Sequence, residues 1–155
     1  MSPRKATLIS NPKTGRYASR RRPVDELASK LESLGVKVDL RLTQAPGDAT
    51  EIAARAARNG SSDIIVAGGD GTINEAIQGL AGTDARLGIL PRGTANVLAR
   101  ELGLPIDDQE AIAIAAQGKS RKIYLGLAIN ETTNEQRHFI LMAGIGLDAS
   151  VVKRV

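Results

Sequence analysis

The strongest constraint on the fold is one uninterrupted run, Asp63-Ile64-Ile65-Val66-Ala67-Gly68-Gly69-Asp70-Gly71-Thr72, leading into Ile73-Asn74-Glu75-Ala76-Ile77. Consecutive apolar residues with β-branched isoleucines suit a strand covered on both faces. Gly68, Gly69 and Gly71 allow positive φ and let the backbone approach a ligand closely. Thr72 and Glu75 have the spacing of a capping box, which predicts a helix starting at about Ile73. A strand feeding a glycine turn and then a helix N-terminus is a natural phosphate site, because the first helical N–H groups are free. Asp70 is the awkward member. A carboxylate beside a phosphate is repulsive unless a cation or proton lies between them, which points to metal-assisted phosphate chemistry.

The flanking sequence repeats the same grammar. Ala6–Ser10 reads as a strand, followed by a turn-rich loop from Asn11-Pro12 through Lys13 and Gly15 to Arg16. The basic run Arg20–Arg22 precedes a helix marked by Val24, Leu27, Leu31 and Leu34, with Gly35 placed to end it. Val36, Val38, Leu40 and Leu42 alternate as a second strand. Asp48 and Glu51 are spaced to cap a helix with the stripe Ala49, Ile52, Ala53, Ala56 and Ala57, closed by Asn59-Gly60. Leu87–Leu90 is a fourth strand, and Pro91–Asn96 a second polar turn before a short helix stopped by Gly103 and Pro105. Asp107 and Glu110 open a last alanine-rich helix that ends near Gly118.

Four strand–helix alternations predict an α/β fold, a mostly parallel sheet with helices on both faces, over residues 1–118. Loops after the first, third and fourth strands then share the carboxyl edge of the sheet, where such folds bind ligands. From Lys119 the pattern changes. Ile123, Leu125, Leu127 and Ile129 alternate, Asn130–Glu135 is a polar turn, and His138–Met142 returns as an antiparallel strand. A hairpin of this size forms no core of its own. Residues 119–155 therefore either pack on the first domain or begin a β-rich second one. The 155 residues suffice for a real core, and with 2% aromatics that core must be aliphatic. The same scarcity argues against base-stacking platforms, so no nucleic-acid partner is expected. A net charge of +4 favours anionic partners without choosing among them. With no cysteine, disulfides and thiolate metal sites are excluded. No secretory h-region opens the chain and no apolar run approaches a membrane span, so a cytoplasmic protein is the simplest expectation.

Taken together, three loops resemble the diacylglycerol kinase catalytic domain family, which includes sphingosine kinases and bacterial lipid kinases. The Gly68-Gly69-Asp70-Gly71-Thr72 turn resembles its nucleotide signature. Pro91-Arg92-Gly93-Thr94-Ala95-Asn96, running into Ala99-Arg100, resembles its second block, and Asn11-Pro12 with Gly15 is similar to its first loop. Gly144-Ile145-Gly146-Leu147-Asp148-Ala149 fits the family order as well. NAD kinases and phosphofructokinase-like proteins carry runs similar to the glycine turn, but the whole order fits the lipid kinases better. The resemblance implies an ATP-dependent, Mg²⁺-requiring lipid kinase, with a fold like that of NAD kinases and diacylglycerol kinases. It also implies nucleotide contacts at Asn11, Thr43, Gly68, Gly69, Asp70, Gly71, Thr72, Asn74, Gly93 and Thr94, with Asp70 in a magnesium and water network. The implied partners are ATP and a lipid acceptor met peripherally at a membrane surface, with a homodimer left open. In that family the general base and several metal carboxylates lie further along the chain than Val155, so this stretch alone is expected to lack them. Two other readings stay open: an NAD-kinase-like enzyme acting on a soluble nucleotide, and a non-catalytic nucleotide-binding module.

From the residues alone, several side chains have plainer readings. Thr94 and Asn96 suit the start of a helix. Arg92, Lys13 and Arg16 are either phosphate contacts or solvated loop cations. Arg20–Arg22 reads as a solvated approach to a helix, with attraction to anionic lipid as the alternative. His138, the only histidine, is a strand residue. Asp148 faces a cleft or caps a helix.

Overall fold

The computed structural model describes residues 4–12 and 22–141. The chain divides into two compact units, one running to Lys122 and the other starting at Ile123. The first contains β1 (Arg4–Ser10), α1 (Val24–Ser33), β2 (Val36–Leu42), α2 (Asp48–Arg58), β3 (Asp63–Gly68), α3 (Asp70–Leu80), β4 (Arg86–Pro91), α4 (Val97–Glu101) and α5 (Asp108–Gln117). Its four strands pair in the order β2-β1-β3-β4, every pair parallel. This is the expected α/β architecture.

The periodicities explain the layers. β3 is buried along its whole length, as a strand covered on both faces must be. On one face Ala6, Leu8, Ile65, Ala67 and Leu90 meet Leu27 and Leu31 of α1 and Ala111 and Ile112 of α5. The other face carries α2 and α3, which pack on each other. Gly79 makes that packing close: a Cβ there would collide with the Thr50 carbonyl oxygen of α2. Thr50 Oγ1 also donates to the Glu75 carbonyl at 2.8 Å.

Helix ends follow elementary rules in part. Gly35 and Gly118 take positive φ where α1 and α5 stop. Asp107 caps α5, its Oδ1 accepting from Gln109 N and Glu110 N. Two expected caps are corrected. Asp48 does not cap α2: Gly47 is the cap residue, and Asp48 Oδ2 instead accepts from Gln44 N at 2.7 Å and Ala45 N at 2.9 Å. Those two bonds hold the Asp48 carboxyl below its ordinary value of 3.8. The Thr72–Glu75 capping box does not form either. Helix α3 starts at Asp70 with Gly69 before it, so Thr72 is already its third residue. The Glu75 carboxylate leaves its own helix and accepts from Gly47 N at 3.0 Å.

The amino edge of the sheet holds a feature the periodicity does not announce. Asp63, nearly buried, accepts from Arg4 Nε at 2.7 Å and from Arg86 Nη2 at 2.9 Å. The same two arginines donate to carbonyls at the end of α5: Arg4 to Ala115 and Ala116, and Arg86 to Gly118 just past it. Orphan carbonyls at the helix C-terminus are thereby satisfied by cations, which its dipole also favours. The only trace in the sequence is a carboxylate opening an otherwise apolar strand.

In the second unit, β5 (Gly126–Ile129) pairs antiparallel with β6 (Gln136–Phe139). Asn130 closes the turn, its Oδ1 accepting from Thr132 N and Thr133 N. His138 lies opposite Leu127, a half-buried strand residue as expected.

Candidate functional site

The strand order creates a break in winding direction. From β1 the chain moves outward to β2, and from β3 it moves the other way to β4. The loops leaving β1 and β3 therefore diverge and open a crevice at the carboxyl edge. Strand register sets what lines it. Ser10 is level with Leu42 on β2 and Ala67 on β3, and Gly68 is level with Pro91. The following positions continue as one row across the sheet: Thr43, Asn11, Gly68 and Pro91. Thr43 N donates to Ser10 O at 2.9 Å, and Arg92 N donates to Gly68 O at 2.8 Å, so the row stays joined past the strand ends. Expected site residues on four separate stretches thus meet on one edge.

The glycine turn is tight for a reason other than the expected one. Neither Gly68, Gly69 nor Gly71 has positive φ; Gly69 is extended, at φ −91° and ψ −177°. Steric room is what two of the glycines in this region provide. A Cβ on Gly68 would stand 2.9 Å from Thr72 Cβ, and one on Gly93 would stand 2.6 Å from Gly69 Cα. The Pro91–Asn96 loop therefore lies directly on the glycine turn. Gly71 differs, since a Cβ there would meet nothing within 4 Å. Its side faces open space.

The first hydrogen bond of α3 runs from Ile73 N to Gly69 O at 3.1 Å, and no side chain caps the helix. The N–H groups of Asp70, Gly71 and Thr72 have no acceptor within the helix, by its geometry. With the positive end of the dipole behind them they can hold an anion. Thr72 itself is buried, its side chain packed over Gly68, while Gly71 and Thr94 are exposed. Asn74 is half-buried one turn on and accepts from Gln78 Nε2 at 3.1 Å through its carbonyl.

Asp70 is the first residue of α3, and its carboxylate turns sideways. Oδ2 accepts from Val97 N at 3.0 Å and Oδ1 from Leu98 N at 3.1 Å. Asn96 is buried in the left-handed region at φ 49°, and braces its own loop: Oδ1 accepts from Gly93 N at 2.7 Å and Nδ2 donates to Gly93 O at 2.9 Å. It precedes α4 without capping it by side chain. Arg92 reaches two other stretches of the chain. Its Nη2 donates to Arg22 O at 2.6 Å, and its Nη1 lies 3.9 Å from the Asp108 carboxylate. The Arg22 side chain forms an exposed pair with Glu26. Glu75, through Gly47, fastens the loop that carries Thr43, and sequence reasoning gave it only a capping role.

Lys13, Gly15, Arg16, Arg20, Arg21 and the stretch from Gly144 to Asp148 lie outside the described residues. Among the described residues no three His, Asp or Glu side chains come together as metal ligands. Asp70 offers one carboxylate, already accepting two N–H bonds. Mg²⁺ demands near-octahedral oxygen coordination, so these residues do not fit it as a protein-held ion.

The diacylglycerol kinase catalytic domain model matches residues 5–128. A diacylglycerol kinase of Staphylococcus saprophyticus is 37% identical over 145 residues, covering 92% of this chain and 45% of the relative. One from Staphylococcus carnosus is 35% identical over the same length and shares. A crystal structure of a diacylglycerol kinase from Bacillus anthracis superposes with a TM-score of 0.63 at 31% identity, covering 77% of this chain and 42% of that one. The chain thus spans less than half the length of the curated relatives it matches.

Proposed function

The chain belongs to the diacylglycerol kinase catalytic domain family, and from that membership we propose that it carries the nucleotide-binding part of a lipid kinase. The reaction is transfer of the γ-phosphate of ATP to a lipid hydroxyl. The observation that carries this reading is the meeting of Asn11, Thr43, the Gly68–Thr72 turn and the Gly93–Thr94 loop on one sheet edge, beside the free N–H groups of α3. In this reading the α3 N–H groups hold a phosphate, and Gly71 leaves room for its close approach. Asn11, Thr43, Asn74 and Thr94 make further nucleotide contacts. Preorganised N–H donors of this kind stabilise charge on a transferring phosphoryl group. A divalent cation brought with the nucleotide would screen its phosphate charge. Residues 1–118 form the nucleotide-binding unit and 119–155 the start of a β-rich one. The acceptor lipid is met at a membrane surface; no helix among the described residues is long and apolar enough to cross one.

Two measurements test the two halves of the reading. ATP titrated into the 155-residue chain should bind saturably, and absence of saturable binding rejects the nucleotide site. A protein carrying this chain at the length of its relatives, given labelled ATP with diacylglycerol, sphingosine and NAD in parallel, should label a lipid. Label confined to NAD supports the soluble-nucleotide alternative instead.

A further inference from the structure

We infer that Asp70 is a positioning residue: its carboxylate holds the Pro91–Asn96 loop against the glycine turn by capping α4 from another element. Helix α4 has five residues, too few to persist without tertiary support. Its own preceding residue does not supply the cap: the Asn96 side chain bonds Gly93 instead. The N–H groups of Val97 and Leu98 are therefore orphans of a helix start. Asp70 takes both, one on each carboxylate oxygen, from 27 and 28 residues away. Two charge-assisted bonds to adjacent amides fix orientation as well as distance.

The clamp has two further ties at the same junction. Arg92 N donates to Gly68 O at 2.8 Å. Gly93 lies so close to Gly69 that a Cβ could not be inserted between them. Asp70, Arg92 and Gly93 thus join two loops distant in sequence. The arrangement also accounts for a carboxylate next to a phosphate site. Both oxygens of that carboxylate accept from amides of α4.

The nucleotide arm of the test rests on the proposed ATP site; the exchange arm does not. Amide hydrogen exchange is followed at Val97 and Leu98 in the nucleotide-free chain with EDTA, for wild type, Asp70→Asn and Asp70→Ala. ATP affinity is measured for the same proteins in Mg²⁺ and in EDTA. Asp70→Ala should speed exchange at both amides about fivefold or more, the factor typical of a lost cap. Amides within β3 should be unchanged. Asp70→Asn, which keeps an acceptor, should fall between. ATP affinity should drop by the same factor in Mg²⁺ and in EDTA. Unchanged exchange at both amides overturns the inference, as does an affinity loss confined to Mg²⁺. Should wild type bind no ATP, the exchange arm alone decides, and the failure belongs to the proposed nucleotide site. If Asp70→Ala does not fold, Asp70→Asn carries the same comparison.

Discussion

Replacing Gly71 by alanine should move stability and ligand affinity in opposite directions. Gly71 is the second residue of α3, has no left-handed φ, and has none of the described residues' atoms within 4 Å of where a Cβ would go. The folded chain therefore accepts the methyl without strain. Alanine also lowers the conformational entropy of the unfolded state, so Gly71→Ala should stabilise the nucleotide-free chain by about 0.4–1 kcal/mol. For a urea slope of roughly 2 kcal/mol/M, that raises the denaturation midpoint by about a quarter to half a molar. A phosphate seated on the α3 N–H groups would meet the same methyl. ATP affinity should fall at least about tenfold, or about 1.4 kcal/mol. Urea denaturation and calorimetric titration of the 155-residue chain give both numbers. A more stable variant with wild-type ATP affinity would refute the argument that the turn is open for a ligand. A destabilised variant would refute the claim that the space is empty.

Asp63→Ala should leave Arg4 and Arg86 facing each other without a counter-charge. Breaking a buried pair costs about 3–5 kcal/mol, and the partial exposure of both arginines reduces this to about 2–3. At about 2–4 °C per kcal/mol the melting temperature should drop by about 4–12 °C, against almost nothing for Asp39→Ala in the exposed Asp39–Arg41 pair; equal shifts for the two variants would remove the argument. Gly79→Ala should destabilise by about 1–3 kcal/mol, because the obstacle is the Thr50 backbone and cannot rotate away; a neutral effect in chemical denaturation would show that α2 and α3 separate freely. Asp48 is lowered by its bonds to Gln44 N and Ala45 N, so its folded value lies below its unfolded one. Its contribution is fully present above 3.8 and is lost as pH falls below that value. The stability gap between wild type and Asp48→Ala should therefore close on acidification, and a constant gap would contradict the assignment.

Much of this architecture is legible in local pattern. The alternation of Val36, Val38, Leu40 and Leu42, the Leu27–Leu31 spacing and the apolar run at Ile64–Ala67 mark elements that form where expected. They are legible because burial on one face or two imposes its period on the side chains. Positive φ at Gly35 and Gly118 and the Asp107 cap are local as well. The Gly68–Thr72 turn is legible as a strand–helix junction, whereas its helix begins at Asp70, none of its glycines takes positive φ, and Gly68 serves close packing against Thr72.

The alternating elements, the parallel α/β class and the placing of three polar loops on one edge are written in local pattern, since strand direction alone dictates which loops share an end. The partners of the charged groups emerge only once the chain is folded. Asp70 faces α4, Glu75 reaches Gly47, Arg92 ties to Arg22, and Asp63 joins two arginines. A carboxylate or guanidinium pairs with whichever donor or acceptor the fold brings within about 3 Å, and for these groups that partner lies from 23 to 70 residues away in the chain, the extremes being Asp63–Arg86 and Arg22–Arg92. No local pattern encodes a partner at that distance.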